Sequence, residues 1–555
     1  MALSLTAEQQ SIFDMFNGKN QYIIPPYQRA YSWTETECKE LFDDLKNAYF
    51  SHLKSDSTKD GYFLGNIVIA RSLEDRNRLE IIDGQQRVTT LTLLMKVLLK
   101  FDETNNDLKN AIYIPEGRRG DISKRRLETN VFIKDDAQSL IDAIDLDLND
   151  SNCKVTKKDN QFKQNMCFFY SSVEKFSKDN KIKDFIDFFL YDVTLLPIQT
   201  EDNDADKARE KALKIFETIN DRGLSLSDSD IFKAKLYSNA LNNLKHDDFI
   251  KKWNEFDENC RDIQNHISFK QKNPIDEVFR TYTYIIRGEK GNKGNEVSLR
   301  AFFLQQKDTP FKTKKYDEVL AHLNQIIEAI QFFGDVTKNP KKFGELTKWF
   351  QLINCYTNKF PLSVLLVYLY HNGLENTEKL EKFSKNLVKF AYGAGRHIDT
   401  MKQMMFDMVI KVMHDKELIF NFKSDKELLY SYSGSLRKGL QLLALYLNPK
   451  QSAIELSYNT DKIINSKDAS SVSTSWENKV FDDYKDSLGN VLISDVPKRH
   501  IILKKRLPFY RESAIVDIQE LIDDLEDWTY SKYEQRENEL RKRLNVFFKV
   551  EDENK

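Results

Sequence analysis

The chain has 555 residues, with 84 Lys and Arg against 86 Asp and Glu, a formal net charge of −2, 40% hydrophobic residues and 12% aromatics. At ~100–200 residues per domain this is enough for two to four domains. With only 18 Gly and 11 Pro, the composition excludes a disordered, collagen-like or linker-dominated chain. The charge balance excludes a polybasic tail, so any anion-binding surface has to be local.

The opening Met1–Phe16 segment is amphipathic and lacks the basic, apolar and small-residue regions of a secretory signal. Every long apolar stretch is interrupted by Lys, Asp or Asn well before the ~18 residues of a membrane span, so no membrane partner and a cytoplasmic location are expected. The five cysteines, Cys38, Cys153, Cys167, Cys260 and Cys355, are odd in number, widely spaced and without CxxC pairing. They read as reduced thiols rather than a disulfide framework or zinc knuckle.

In chain order, Tyr62–Ala70 is a β-rich run and Leu79–Ile82 a shorter one, together a predicted hairpin. Asp83, Gly84 and Gln85 break the strand, and Val88–Leu99 continues as an apolar helix. A further strand is expected at 193–199. Ala205, Ala208, Ala212, Ile215, Phe216 and Ile219 then recur at three- and four-residue steps, one face of a helix. That helix ends at Asn220, Asp221, Arg222 and Gly223, and Ser227 with Asp230 is a capping pair for the next. Residues 1–240 are therefore expected to form an α/β domain. From about 245 to 450 strand signals nearly vanish and a helical domain is expected, a spacer or lever between the two ends. The polar stretch Tyr458–Ser475 is expected to be a loop, followed by the helices Ala514–Tyr530 and Lys532–Phe548. The overall fold class is thus α+β to mainly α, with domains at 1–240, 241–450 and 451–555.

Four words carry most of the chemistry. They are Ile-Pro-Pro-Tyr-Gln-Arg-Ala-Tyr-Ser-Trp at 24–33, Phe-Leu-Gly-Asn-Ile-Val-Ile at 63–69, Ile-Asp-Gly-Gln-Gln-Arg-Val-Thr-Thr-Leu at 82–91 and Phe-Glu-Thr-Ile-Asn-Asp-Arg-Gly-Leu-Ser-Leu at 216–226. In the third, Gly84 permits a tight turn. Gln85, Gln86, Arg87, Thr89 and Thr90 then follow at a helix N-terminus, where free N–H groups and the helix dipole favour a phosphate and Arg87 can bind its oxygens bidentately. Asp83 can hold a divalent metal or orient water. Alone, such a tetrapeptide reads more often as a solvated helix cap. Beside it, Gln28 and Arg29 follow the rigid Pro25–Pro26 pair, Tyr27, Tyr31 and Trp33 offer stacking faces for a base, and Asn220, Arg222 and Gly223 add a third polar loop.

These four words, in this order over roughly residues 10–240, resemble the N-terminal domain of the GmrSD-type family of modification-dependent restriction proteins, built on a ParB/sulfiredoxin-like fold. The resemblance implies nucleotide binding and hydrolysis. Asp83, Gly84, Gln85, Gln86 and Arg87 are then the signature site, with Tyr27, Arg29, Asn220 and Arg222 nearby. It also implies a role in phage defence that couples nucleotide turnover to action on modified foreign DNA. Residue chemistry then assigns catalysis to Asp83, Gln86, Arg87 and Arg29. Nucleotide binding goes to Tyr27, Gln28, Gly84, Gln85, Thr89, Thr90, Asn220, Arg222 and Gly223, and Mg²⁺ to Asp83. The sequence has no Walker loop and no GxGxxG after a strand, so an NTPase here is a non-P-loop one.

In the same family the C-terminal domain is often an HNH nuclease. This chain has Ser-Leu-Gly-Asn-Val-Leu-Ile at 487–493 and Lys-Lys-Arg-Leu-Pro-Phe-Tyr-Arg-Glu-Ser at 504–513, but Thr-Asp-Lys-Ile-Ile-Asn at 460–465 where the His word belongs. Lys462 would replace the water-activating His. An ammonium has no lone pair with which to take a proton, and Asn490 alone cannot supply HNH chemistry. A degenerate HNH-like module kept for DNA or protein contacts is expected, with Lys498, Arg499, Lys504, Lys505 and Arg506 as phosphate contacts. His500 lies in the same cluster and keeps a rearranged nuclease site open. His397, beside a Gly-rich turn, reads as structural. A second basic cluster at 117–126 tracks DNA or is an exposed loop. Three readings therefore stand: an NTPase sensor, a nucleotide-gated binding module without turnover, and a nuclease acting alone or with an effector partner. Modified or phage DNA is the expected partner, and homo-oligomerisation is left open.

Overall fold

The computed structural model describes residues 5–54, 61–115, 124–131, 136–156, 158–219, 228–241, 246–267, 273–356, 358–394, 398–416, 435–455, 458–468, 481–496 and 501–548. They fall into two compact units, Met1–Asn254 and Glu255–Lys555.

The first unit is an α/β domain around a seven-stranded mixed sheet. Its strands are β1 (Leu5–Ala7), β2 (Gln10–Ser11), β3 (Gln21–Ile24), β4 (Tyr62–Ser72), β5 (Arg78–Asp83), β8 (Leu127–Thr129) and β9 (Val193–Asp202). The short pair β6 (Tyr113–Ile114) and β7 (Lys124–Arg125) stands apart from it. The order is β1-β9-β4-β5-β3-β8, with β2 also on β9. The predicted hairpin is present, since β4 and β5 pair antiparallel. β5 then runs parallel to β3, and β4 parallel to β9.

The helices of this unit are α1 (Ile12–Phe16), α2 (Glu35–Lys54), α3 (Gln85–Phe101), α4 (Asn106–Ile112), α5 (Asp136–Asp145), α6 (Gln161–Asp179), α7 (Ile182–Tyr191), α8 (Ala205–Ile219) and α9 (Asp228–Leu241). Leu79 and Ile81 of β5 enter one apolar core with Val88, Leu91 and Met95 of α3 and with Phe162, Met166 and Phe169 of α6. α3 is enclosed on nearly all sides, which is why its sequence is apolar all round. α8 packs against β4, β5 and β9, and its Arg209 takes Glu80 of β5. The alternation of β5 thus sends Leu79 and Ile81 to one face of the sheet and Glu80 to the other.

The second unit is helical through most of its length, and no strand occurs among its described residues before Asn459. The helix Ser435–Tyr446 packs on both Glu345–Cys355 and the last helix, Tyr530–Phe548. Gln441 donates to the Leu488 carbonyl at 3.3 Å, so a shared interior runs across the boundary expected at 450. Two sequence expectations are corrected in this unit. Within the stretch read as a loop, Asn459–Lys462 forms a strand, β10, antiparallel to β11 (Val491–Ser494). Its Asp461 is carried inside because Tyr510 and Arg506 hydrogen-bond its carboxylate. The helix expected over 514–530 is broken into Val516–Leu521 and a 3-10 turn, Asp524–Asp527. The run Asp523, Asp524, Glu526, Asp527 puts like charges at neighbouring helical positions, which disfavours a continuous helix.

Candidate functional site

At the end of β5, Asp83 pairs across the hairpin with Val68. Gly84 then turns the chain with φ 89° and ψ 8° and caps α3. The first helical bond runs from Val88 N–H to Gly84 C=O at 2.9 Å, so the N–H groups of Gln85, Gln86 and Arg87 have no acceptor within the helix. The junction expected from sequence is therefore a helix N-terminus, the positive end of the helix dipole.

The Pro25–Trp33 loop is fastened to this junction by amide side chains. Gln28 Nε2 donates to Ile82 C=O at 2.8 Å, Gln85 Nε2 to Arg29 C=O at 3.1 Å and Gln86 Nε2 to Ala30 C=O at 3.0 Å. Gln86 Oε1 accepts from Ser32 N–H at 2.8 Å and Trp33 N–H at 3.2 Å. A buried relay completes the fastening. Asn165 Nδ2 of α6 donates to Tyr31 Oη at 2.9 Å and to Trp33 C=O at 2.7 Å, Tyr31 Oη bonds Thr90 Oγ1 at 2.8 Å, and Thr90 donates to Gln86 C=O at 2.8 Å. The Asp136 carboxylate accepts from Tyr31 N–H at 3.3 Å. Arg29 and Ser32 are the exposed residues of this fastened loop.

Two guanidinium charges act on Asp83, those of Arg87 and Arg29. Burial nevertheless raises the Asp83 carboxyl above its ordinary value, and the Gly84 N–H and the two arginines offset this only in part. Burial likewise lowers Arg87, opposed by Asp83. Arg87 Nη1 donates to Asn66 C=O at 2.8 Å and lies over Gly65, where a Cβ would stand 3.4 Å away. One half-buried carboxylate, Asp83, and two guanidinium groups, those of Arg87 and Arg29, thus act on one another at the start of α3.

Several expected ligand contacts are used inside the protein instead. Tyr27 is buried, with Arg209 5.6 Å above its ring and the Tyr237 ring 5.7 Å away. Tyr31 is stacked on Phe162 at 4.7 Å, and Trp33 packs against the core. Tyr27 and Tyr31 are therefore not open stacking faces for a base, and Trp33 is half-buried. Thr89 and Thr90 are buried, as are Gln28, Gln85 and Gln86. Asn220, Arg222 and Gly223, with Ser227, His397, Lys498, Arg499 and His500, lie outside the described residues. Sequence reasoning missed Asn165 and Asp136. Asn165 had a signal: it sits on the apolar face of α6 between Phe162 and Phe169, where an unpartnered carboxamide would be costly.

In the C-terminal part, Lys462 Nζ pairs with Asp486 at 2.8 Å. Asn490 is fully buried, its carboxamide accepting from Ile464 N–H at 2.8 Å and donating to Ile464 C=O at 3.0 Å. Lys504 and Lys505 are exposed on the helix Leu503–Tyr510. Arg506 is 1% exposed and bridges Asp461 and Asp468, which corrects its reading as a phosphate contact. Among the described residues no group of three His, Cys, Asp or Glu side chains is placed to hold a metal ion, and no helix is long and apolar enough to cross a membrane.

Residues 12–237 match the family described as GmrSD restriction endonuclease, N-terminal domain. The N-terminal unit is thus similar to the N-terminal domain of the GmrSD restriction endonucleases. No curated protein matches the chain. The GmrSD match runs from α1 to α9 and takes in the whole Asp83–Arg87 junction, the Arg29 loop and Asn165. That family is described as one of restriction endonucleases.

Proposed function

We propose that the N-terminal unit binds and hydrolyses a nucleoside triphosphate, and that the chain acts in phage defence by coupling this to the sensing of foreign or modified DNA. The observation that supports this reading is that Arg87 and Arg29 both act on Asp83 at the N-terminus of α3. Arg87 and the free N–H groups of α3 hold the phosphates, Arg29 offsets charge that develops on them, and Asp83 orients the attacking water. A single carboxylate fits Mg²⁺, which is commonly held by one or two carboxylates together with substrate phosphates. Held by Asp83, the ion would neutralise phosphate charge.

The test is phosphate release from ATP, GTP, CTP and UTP by the full chain, with and without modified DNA. Release from at least one, lost in Asp83→Ala and Arg87→Ala, is expected. No release under any condition overturns hydrolysis.

A second reading is a nucleotide-gated module without turnover. It is favoured by Gln86, whose carboxamide is committed to residues 30–33, leaving Asp83 as the group to orient water. Nucleotide affinity measured on the sample that fails to release phosphate separates the two.

For the C-terminal HNH-like module we infer DNA contact through Lys504 and Lys505 without cleavage, because Lys462 and Asn490 are both engaged within the protein. A partner effector would then supply any nuclease. A plasmid nicking assay with Mg²⁺ or Mn²⁺ tests this, and cleavage by the chain alone overturns it.

A further inference from the structure

The face of the sheet opposite α3 carries a cavity of about 590 Å³, within the ~300–1,000 Å³ usual for small-molecule sites. Pro25, Pro26 and Tyr237 supply flat apolar walls. Glu80 belongs to the lining and takes Arg209 bidentately, Nε to Oε2 and Nη2 to Oε1 both at 2.8 Å. The Arg209 side chain is 6% exposed against 28% for Glu80, so the charge a ligand meets there is the carboxylate. Glu74 and Asp75 add two more carboxylates to the lining, against Arg78, which lies 3.9 Å from Glu128. With Glu80 and Arg209 compensating each other, Glu74 and Asp75 outnumber Arg78 by one, a balance that disfavours phosphate. Asn130 donates its backbone N–H to Ile24 C=O at 2.9 Å, and its side-chain carboxamide makes no hydrogen bond to a described residue. It can offer one donor and one acceptor to a ring edge.

We propose that this cavity binds an uncharged planar heterocycle bearing an amino group, of the class of adenine, guanine and cytosine. Its amino N–H donates to Glu80, its ring edge pairs with Asn130, and its faces lie on the proline and Tyr237 walls. The source is a free nucleoside or a base of single-stranded DNA. The site does not depend on nucleotide hydrolysis at Asp83. Because Pro25 and Pro26 lead directly into Gln28 and Arg29, its occupant would also bear on the loop that carries Arg29.

The experiment is calorimetric titration of the full chain with adenosine, guanosine, cytidine, thymidine and uridine, which carry no phosphate, and with short single-stranded oligonucleotides. Binding of at least one amino-bearing nucleoside is expected, with thymidine and uridine about tenfold weaker or more, the scale of one lost bidentate contact. Asn130→Ala should weaken binding by about tenfold with an unchanged melting temperature, and Arg87→Ala should leave it unaltered. Tighter binding of the oligonucleotide identifies the strand as the source, and preference for the nucleoside identifies the free compound. Absence of nucleoside binding at millimolar concentration overturns the proposal, as does equal binding of thymidine. Binding lost in Arg87→Ala but kept in Asn130→Ala would move the ligand to the Asp83 junction and also overturn it. Failure of phosphate release would leave all these outcomes untouched.

Discussion

Gly84 lies against Ile67 so closely that a Cβ on it would stand 2.5 Å from Ile67 Cγ2, and its φ of 89° is one that L side chains rarely adopt. Both constraints act on the same turn, which fixes where Asp83 leaves the sheet and where α3 begins. Ile67 is fully buried in the core beneath α3 and cannot withdraw without opening it. Gly84→Ala should therefore lower stability by about 1–3 kcal/mol, the usual scale for a strained residue at a functional turn. Nucleotide affinity should fall with it, because Arg87 rides on the displaced helix. Chemical denaturation and nucleotide titration on the same variant check this.

Gln86 acts as a positioning residue. Its Nε2 and Oε1 engage Ala30, Ser32 and Trp33, which leaves no side-chain atom for a ligand without breaking the loop. Gln86→Glu keeps the shape but removes the donor and turns a carboxylate oxygen toward the Ala30 carbonyl. Stability should drop by about 1–3 kcal/mol, the scale of a buried group left unsatisfied. Amide exchange at Ser32 and Trp33 should accelerate. A variant of unaltered stability and exchange but altered turnover would return Gln86 to direct catalysis.

The hairpin, the Asp83–Gly84 break and the helical region after 245 were legible in the sequence, because alternation, a glycine and 3.6-residue periodicity are local signals. What could not be read was the direction of the polar side chains. Gln85, Gln86 and Thr90 look like ligand contacts by type, yet their acceptors are backbone carbonyls. Gln86 and Thr90 depend further on Tyr31 and Asn165, the latter more than 70 positions downstream on α6. Arg506 illustrates the same limit. In a run of basic residues it resembles its neighbours Lys504 and Lys505, and only the tertiary position of Asp461 and Asp468 distinguishes it.

Asp83 should show a trade between stability and activity. Its folded-state carboxyl lies above the ordinary value because burial disfavours the charge. The neutral form is therefore favoured on folding. That contribution is complete below the ordinary carboxylate value and is lost as pH rises through the raised one. Asp83→Asn, permanently neutral, should be at least as stable as the parent at pH 7, and its advantage should shrink as the pH falls through the raised value toward the ordinary carboxylate value, below which it changes no further. Phosphate release should be lost at every pH. Melting temperatures measured from pH 4 to 8 test the sign, and a variant that is less stable at pH 7 and equal at pH 4 would contradict it.

The cations of the C-terminal helix should divide into two classes. Arg506 is enclosed, donating to Asp461, Asp468 and the Ile463 carbonyl, with both carboxylates less than a tenth exposed. Arg506→Met would leave two buried carboxylates uncompensated at the end of β10, and breaking a buried pair in this way costs about 3–5 kcal/mol. Lys504 and Lys505 are exposed, so Lys504→Ala and Lys505→Ala should leave stability within about 0.5 kcal/mol of the parent. Each should instead weaken DNA binding across sequences and reduce the slope of log affinity against log salt by about 1. Denaturation paired with fluorescence anisotropy at several salt concentrations reads both quantities. Loss of DNA affinity in all three variants with stability unchanged would put Arg506 on the binding surface and undo the distinction.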